Sequence, residues 1–118
     1  MIRHGTTRNV LLIGMWAIKI PTIRSCLLWH SGCVANIQER LLWHGYRDRR
    51  LAPVRWGDPF GLVLVMDRAD MVFDYDRDRE DLDRFLKECS EAHLPVDPKY
   101  SNIGKFGDTL KLIDYGSL

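Results

Sequence analysis

The sequence predicts a small α+β domain. Three observations carry this. Apolar runs of strand length come as two pairs, each joined near a glycine. A segment with helical spacing of apolar residues lies between the pairs, and a second follows them. The chain has 118 residues, enough for one domain and one core. The expected order is β-β-α-β-β-α-loop-β.

The elements follow from local chemistry. "RNVLLIG" and "MWAIKIP" (8–21) read as two strands meeting at Gly14-Met15, a tight hairpin connection, and Pro21 ends the second. Residues 32–46 set Val34, Ile37, Leu41 and Leu42 on one helical stripe, with Gly45 as a stop signal. "LAPVRWGD" and "FGLVLVMDRA" form a second strand pair turning at Gly57-Asp58-Pro59. In the helix expected to end at residue 94, Leu82, Phe85, Leu86 and Cys89 share a face. Its acidic start suits the positive end of the helix dipole. A polar loop, "VDPKYSNIGKFGD", then leads to a last strand, "TLKLID".

The totals are those of a globular chain, 46% hydrophobic and 28% charged. A net charge of +1 gives no general attraction for nucleic acid or an anionic membrane, and neither is expected as a partner. The basic "RDRR" (47–50) and the acidic stretch 70–83 read as solvated segments. Three cysteines at irregular spacing fit buried thiols in a reducing compartment better than a disulfide framework. The apolar run Val10–Ile18 follows arginines, as in a signal peptide. It meets Lys19 and Pro21 with no small-residue cleavage site, and it is too short to span a bilayer. The expected compartment is the cytoplasm. Of the four tryptophans, Trp29, Trp43 and Trp56 read as core, with a role in a partner surface as the rival.

Four polar features have bland readings when taken singly. Lys19 would be an edge-strand lysine with its head in water. Glu39 would be an exposed helix acid. Asp97, Lys99 and Asn102 would be ordinary turn residues. Asp114 would be a turn former, with a metal ligand as its rival.

Taken in order they form a set: Ala17-Ile18-Lys19 on a strand, an acid at 39 on a helix, a strand ending "VMDRA", the loop D-x-K-x-x-N at 97–102, and Asp114-Tyr115-Gly116. This set resembles the protein-kinase-like superfamily, which includes aminoglycoside and related small-molecule phosphotransferases. It is closest in style to reduced bacterial and phage kinase-like proteins. The resemblance runs from about Gly5 to Gly116. It implies a truncated protein-kinase-like fold in one minimal domain, with 1–69 as the upper-lobe-like sheet and helix and 70–118 as a reduced lower lobe.

The resemblance further implies ATP and Mg²⁺ as cofactors. Lys19 would reach the α/β-phosphates and pair with Glu39, and Gly5, Thr6 and Thr7 would approach the phosphates. Ala17 and Val10 would form an apolar roof, and Ile103, beside Gly104, a floor. Met66, Asp67 and Ala69 would belong to a hinge offering backbone groups to the adenine edge. Asn102 and Asp114 would hold the metal, Asp97 would act as base, and Lys99 would offset charge on the transferred group.

Three departures from the family pattern stand out. The phosphate-covering loop has a single glycine, Gly5, and Pro95-Val96 stands where His-Arg usually precedes the catalytic aspartate. No activation loop or substrate platform follows Asp114, so leftover apolar surface is expected to find a protein partner or a second copy. Two functions follow: a minimal phosphotransferase or autophosphorylating enzyme, or an inactive pseudokinase of phage or mobile-element origin that binds and modulates a host protein. A chance assembly of short motifs would instead leave Lys19 apart from Glu39 and Asp114 outside their cleft.

Overall fold

The structure is a computed structural model and describes residues 2–70, 76–96 and 99–116. Strand β1 (Ile2–His4) is followed by β2 (Arg8–Ile13), β3 (Trp16–Pro21), helix α1 (Cys26–Tyr46), β4 (Val54–Gly57) and β5 (Leu64–Asp67). Helix α2 (Arg79–Glu91), a 3-10 turn (Tyr100–Asn102), β6 (Ile103–Phe106) and β7 (Thr109–Leu112) complete the order.

The first five strands form one antiparallel sheet in the order β1-β2-β3-β5-β4, and β6 and β7 form a separate hairpin. The domain is thus α+β, as expected. Two strands were not foreseen. β1 is three mostly polar residues with no apolar alternation, and it exists only by pairing with β2. β6 lies inside the stretch read as a loop and pairs with β7 across Gly107, whose φ of 63° suits a residue without Cβ. β3 lies in the middle of the sheet, so the edge-strand reading of Lys19 does not hold.

Helix α1 starts six residues before the expected position because Ser25 caps it, its side chain accepting the Leu28 N–H at 3.1 Å. It closes with Arg47 in the left-handed region, where the Arg47 N–H donates to the Trp43 carbonyl at 2.8 Å. The face it buries matches the expected stripe only in part, with Ile37 and Leu42 half-buried. Gly32, Ala35, Asn36 and Glu39 are buried, while Val34 and Leu41 are exposed. The cause is the closeness of helix and sheet: a Cβ on Gly32 would lie 2.4 Å from the Thr7 carbonyl oxygen and 2.8 Å from Pro21 Cβ. Only small or hydrogen-bonded side chains fit there, so Val34 and Leu41 turn outward, while Leu42 packs against the core farther along the helix. Trp29 and Trp56 are likewise exposed rather than core, while Trp43 packs on the core.

The core lies between β4–β5, α2 and the β6–β7 hairpin. Leu64 and Met66 meet Leu82, Phe85 and Cys89 of α2, together with Ile103, Leu112 and Tyr115. Helix α2 therefore uses the expected face, although it ends at Glu91 rather than 94. A parallel bridge joins Leu51 to Leu112: the Ala52 N–H donates to Leu112 O at 2.8 Å, and the Leu112 N–H to Arg50 O at 2.7 Å. All three cysteines are free, but only Cys89 is buried. Burial pushes its thiol up to about 11, which leaves it inert. Among the described residues no helix is long and apolar enough to cross a membrane.

Tyr115 anchors the end of the core. It is 1% exposed, and its hydroxyl donates to the Ala52 carbonyl at 2.8 Å. Burial, and then the charge of Glu39, raise the phenol well above its ordinary value, so it stays a donor at working pH. Tyr115→Phe removes that donor from a buried carbonyl and should lower the unfolding free energy by about 1–2 kcal/mol, read from the urea midpoint. An unchanged midpoint would show that the carbonyl finds another partner.

Candidate functional site

Alternation along β3 puts Ala17 and Lys19 on one face, and both are buried. Across the ladders, Met66 of β5 stands opposite Ala17, and Val10 of β2 opposite Lys19. These residues open onto a cleft of about 610 Å³, bounded on the other side by Ile103, Gly104, Ile113 and Asp114. Gly5, Thr6 and Thr7, Met66, Asp67 and Ala69 also line it. The residues expected at the phosphates, roof, hinge and floor therefore share one cavity, of a size usual for small-molecule sites. Gly104 is flat there because a Cβ would lie 2.6 Å from Ala69 Cβ and 2.7 Å from Ile113 Cγ2.

A charged cluster forms the inner wall. Lys19 Nζ donates to Glu39 Oε1 at 2.8 Å, to Oε2 at 3.0 Å and to the Ile113 carbonyl at 2.6 Å. Glu39 is fully buried, and its Oε2 also accepts the Tyr115 N–H at 3.1 Å. The lysine, the helix acid and the segment carrying Asp114 are thus tied directly, and the separation expected of a chance assembly is absent. Burial pushes the Lys19 ammonium below the ordinary lysine value. Glu39 pulls it back up, Arg8 pushes it down, and Asp114 pulls it up again.

Arg8 was not foreseen. It is 6% exposed and lies at the centre of the cluster. Its Nη1 donates to Asn36 Oδ1 at 3.0 Å and to Glu39, and its Nη2 donates to Asp114 Oδ1 at 2.6 Å. Asn36 is itself held, donating to the carbonyls of Lys19 at 3.1 Å and Gly61 at 2.9 Å. A signal for Arg8 exists in the sequence: strand alternation puts it on the face of Val10 and Leu12, and all three line the cleft.

In the segment expected to be the hinge, the Asp67 side chain is taken by Arg55, with both bonds at 2.7 Å. The Asp67 and Arg68 N–H groups are used by Pro53 and Met15. The Ala69 N–H has no partner among the described residues, which leaves a backbone donor at the cleft wall.

The remaining predicted residues fare differently. Asp97 lies outside the described residues. Lys99 and Asn102 are not among the residues lining the cleft. Asn102 ends the 3-10 turn, and its carbonyl accepts the Ile113 N–H at 2.7 Å, which sets the turn beside the residue preceding Asp114. Asp114 is paired with a guanidinium, Asn102 does not share its cleft, and no group of three His, Cys, Asp or Glu residues suited to a metal occurs among the described residues.

No protein-family model, no curated protein and no solved structure matches the chain.

Proposed function

We propose that the chain is a nucleotide-binding protein of reduced protein-kinase-like fold, with ATP seated in the cleft between the five-stranded sheet and the β6–β7 hairpin. The observation that carries this is Lys19, held by the buried Glu39 in the wall of a cavity that apolar side chains also line, together with Ala69, whose N–H has no partner among the described residues. Burying such a pair is a poor way to stabilise a small domain. Placed in a cleft, it is a good way to hold a lysine rigidly against anionic oxygens. The strand order, with α1 following β3 and carrying Glu39, supports the same reading.

In this reading the adenine lies between Ala17 and Val10 on one side and Ile103 on the other, with its edge at Ala69. The phosphates face Lys19 and the turn 5–7, which is held by the Gly5 N–H to Arg8 O bond at 2.8 Å and by Arg24 donating to Thr6 O at 3.1 Å. Phosphoryl transfer is the part of the reading assigned to Asp97 and Lys99. Because Lys99 does not line the cleft and Arg8 engages Asp114, the geometry favours binding over transfer, and with it the pseudokinase alternative. A protein partner or second copy remains part of that alternative. Support comes from Ile23 and Leu27, 84% and 76% exposed around the start of α1.

ATP at about a hundred times its dissociation constant should stabilise the chain by about 2.7 kcal/mol and raise Tm by several degrees. Lys19→Met should remove most of that rise while the circular dichroism stays native. If wild type shows no rise with ATP, whether or not Mg²⁺ is present, the nucleotide reading fails. If Lys19→Met responds like wild type, the lysine is not at the phosphates.

A further inference from the structure

We infer that Arg8 stands in for a divalent cation, so that the cleft takes a nucleoside triphosphate through Arg8 and Lys19 without needing a metal. This rests on the nucleotide reading of the cleft and deepens it.

Three observations carry it. First, Arg8 is built in rather than draped over the surface. It is 6% exposed, and its fork joins an acid of helix α1 to the acid after β7, with Asn36 fixing its orientation. Second, the fork is not saturated. Of the five N–H groups of a guanidinium, three are accounted for by Asn36, Glu39 and Asp114. The Nε–H and one Nη2–H have no partner among the described residues, and Arg8 lines the cleft. Guanidinium N–H pairs match phosphate oxygens in charge and geometry. Third, the same guanidinium holds the aspartate a metal would need. With Nη2 at 2.6 Å from Asp114 Oδ1, a divalent ion on that carboxylate would sit within a few ångströms of a fixed positive charge in a partly dry site. Among the described residues it would also find no group of three His, Cys, Asp or Glu side chains to hold it.

Triphosphate charge must be balanced by something. A Mg²⁺ ion does this by bringing two positive charges with the nucleotide. Here two positive charges are already present on adjacent strands, on the face that lines the cleft. Glu39, behind them, and Asp114 together offset these two charges in the empty site, and Glu39 holds Lys19 and Arg8 ready.

The test is ATP affinity of the full chain by calorimetry, in excess EDTA and in millimolar Mg²⁺. The expected result is affinity in EDTA within about threefold of that in Mg²⁺. Arg8→Gln should weaken binding in EDTA by about tenfold or more. Asp114→Asn should tighten binding in EDTA, because it releases Nη2 from a competing acid. Binding that needs Mg²⁺ overturns the inference and leaves the nucleotide reading standing. No binding in either condition overturns both. Equal affinity of Arg8→Gln and wild type in EDTA, or an Asp114→Asn that binds ATP more weakly in Mg²⁺ alone, also overturns the inference. The EDTA comparison uses wild type only, so the question is decided even if Arg8→Gln does not fold.

Discussion

Glu39→Gln should cost about 3–5 kcal/mol of unfolding free energy, the loss expected when one member of a buried ionic cluster is removed. Glu39 is fully buried and faces two cations that are themselves 5% and 6% exposed, Lys19 and Arg8. Glutamine keeps the shape and part of the hydrogen bonding but removes the balancing charge. What remains opposite the two cations is Asp114, whose side chain is 45% exposed and contacts Arg8 alone of the pair. A small domain has about 5–15 kcal/mol in hand, so this single change takes a large share of it. Urea unfolding followed by tryptophan fluorescence measures it. Glu88→Gln is the matched control. Glu88 pairs with Arg50 at 3.8 Å, its side chain is 43% exposed, and its loss should stay below about 1 kcal/mol. Equal effects of the two changes would mean that the cluster is hydrated in solution.

Gly61→Ala should cost about 3 kcal/mol or more, well above what a change of backbone preference alone produces. Gly61 has φ of 76°, and a Cβ there would lie 2.1 Å from the Cys33 carbonyl oxygen and 3.0 Å from Cys33 Cα. The obstacle is the backbone of helix α1, which cannot yield as a side chain would. The loop is also braced: Asp58 accepts the N–H groups of Val63 at 2.6 Å and Phe60 at 3.0 Å. Pushing it away breaks the bond from Asn36 to Gly61 O, and Asn36 orients Arg8. Gly14→Ala separates strain from collision, because Gly14 has φ of 56° but nothing within 4 Å of a new Cβ. Its cost should be about 1–2 kcal/mol. Thermal unfolding of both variants measures the difference, and equal shifts in Tm would refute the collision.

What the sequence made legible, and what it hid, divides along physical lines. The β2–β3 hairpin, the β4–β5 pair and the buried face of α2 were readable because neighbouring residues determine them. Ala17 and Lys19 on one face followed from the two-residue period of a strand. The meeting of Lys19 with Glu39 was an expectation drawn from the resemblance, and the side chains do meet. The inward face of α1 was read only in part, because the apolar period was taken as the buried one, and of its stripe Ile37 and Leu42 are half-buried while Val34 and Leu41 are exposed. The sheet comes so close that Gly32, Ala35 and a hydrogen-bonded asparagine occupy it. The position of Lys19 within the sheet was hidden because strand order is a property of long-range pairing. Arg8 was overlooked for a similar reason. At the start of a strand an arginine reads as solvated, and the acids that make its burial tolerable lie 31 and 106 residues away.

The bridge between Leu51 and Leu112 bears on how the molecule comes apart. Backbone bonds there join the chain leaving α1 to the strand leading into Asp114, so the sheet side and the hairpin side of the cavity hang from a common seam. Melting of either side costs the other these bonds. A small molecule wedged between them should therefore slow disassembly of the entire polypeptide, including α2, which it never touches.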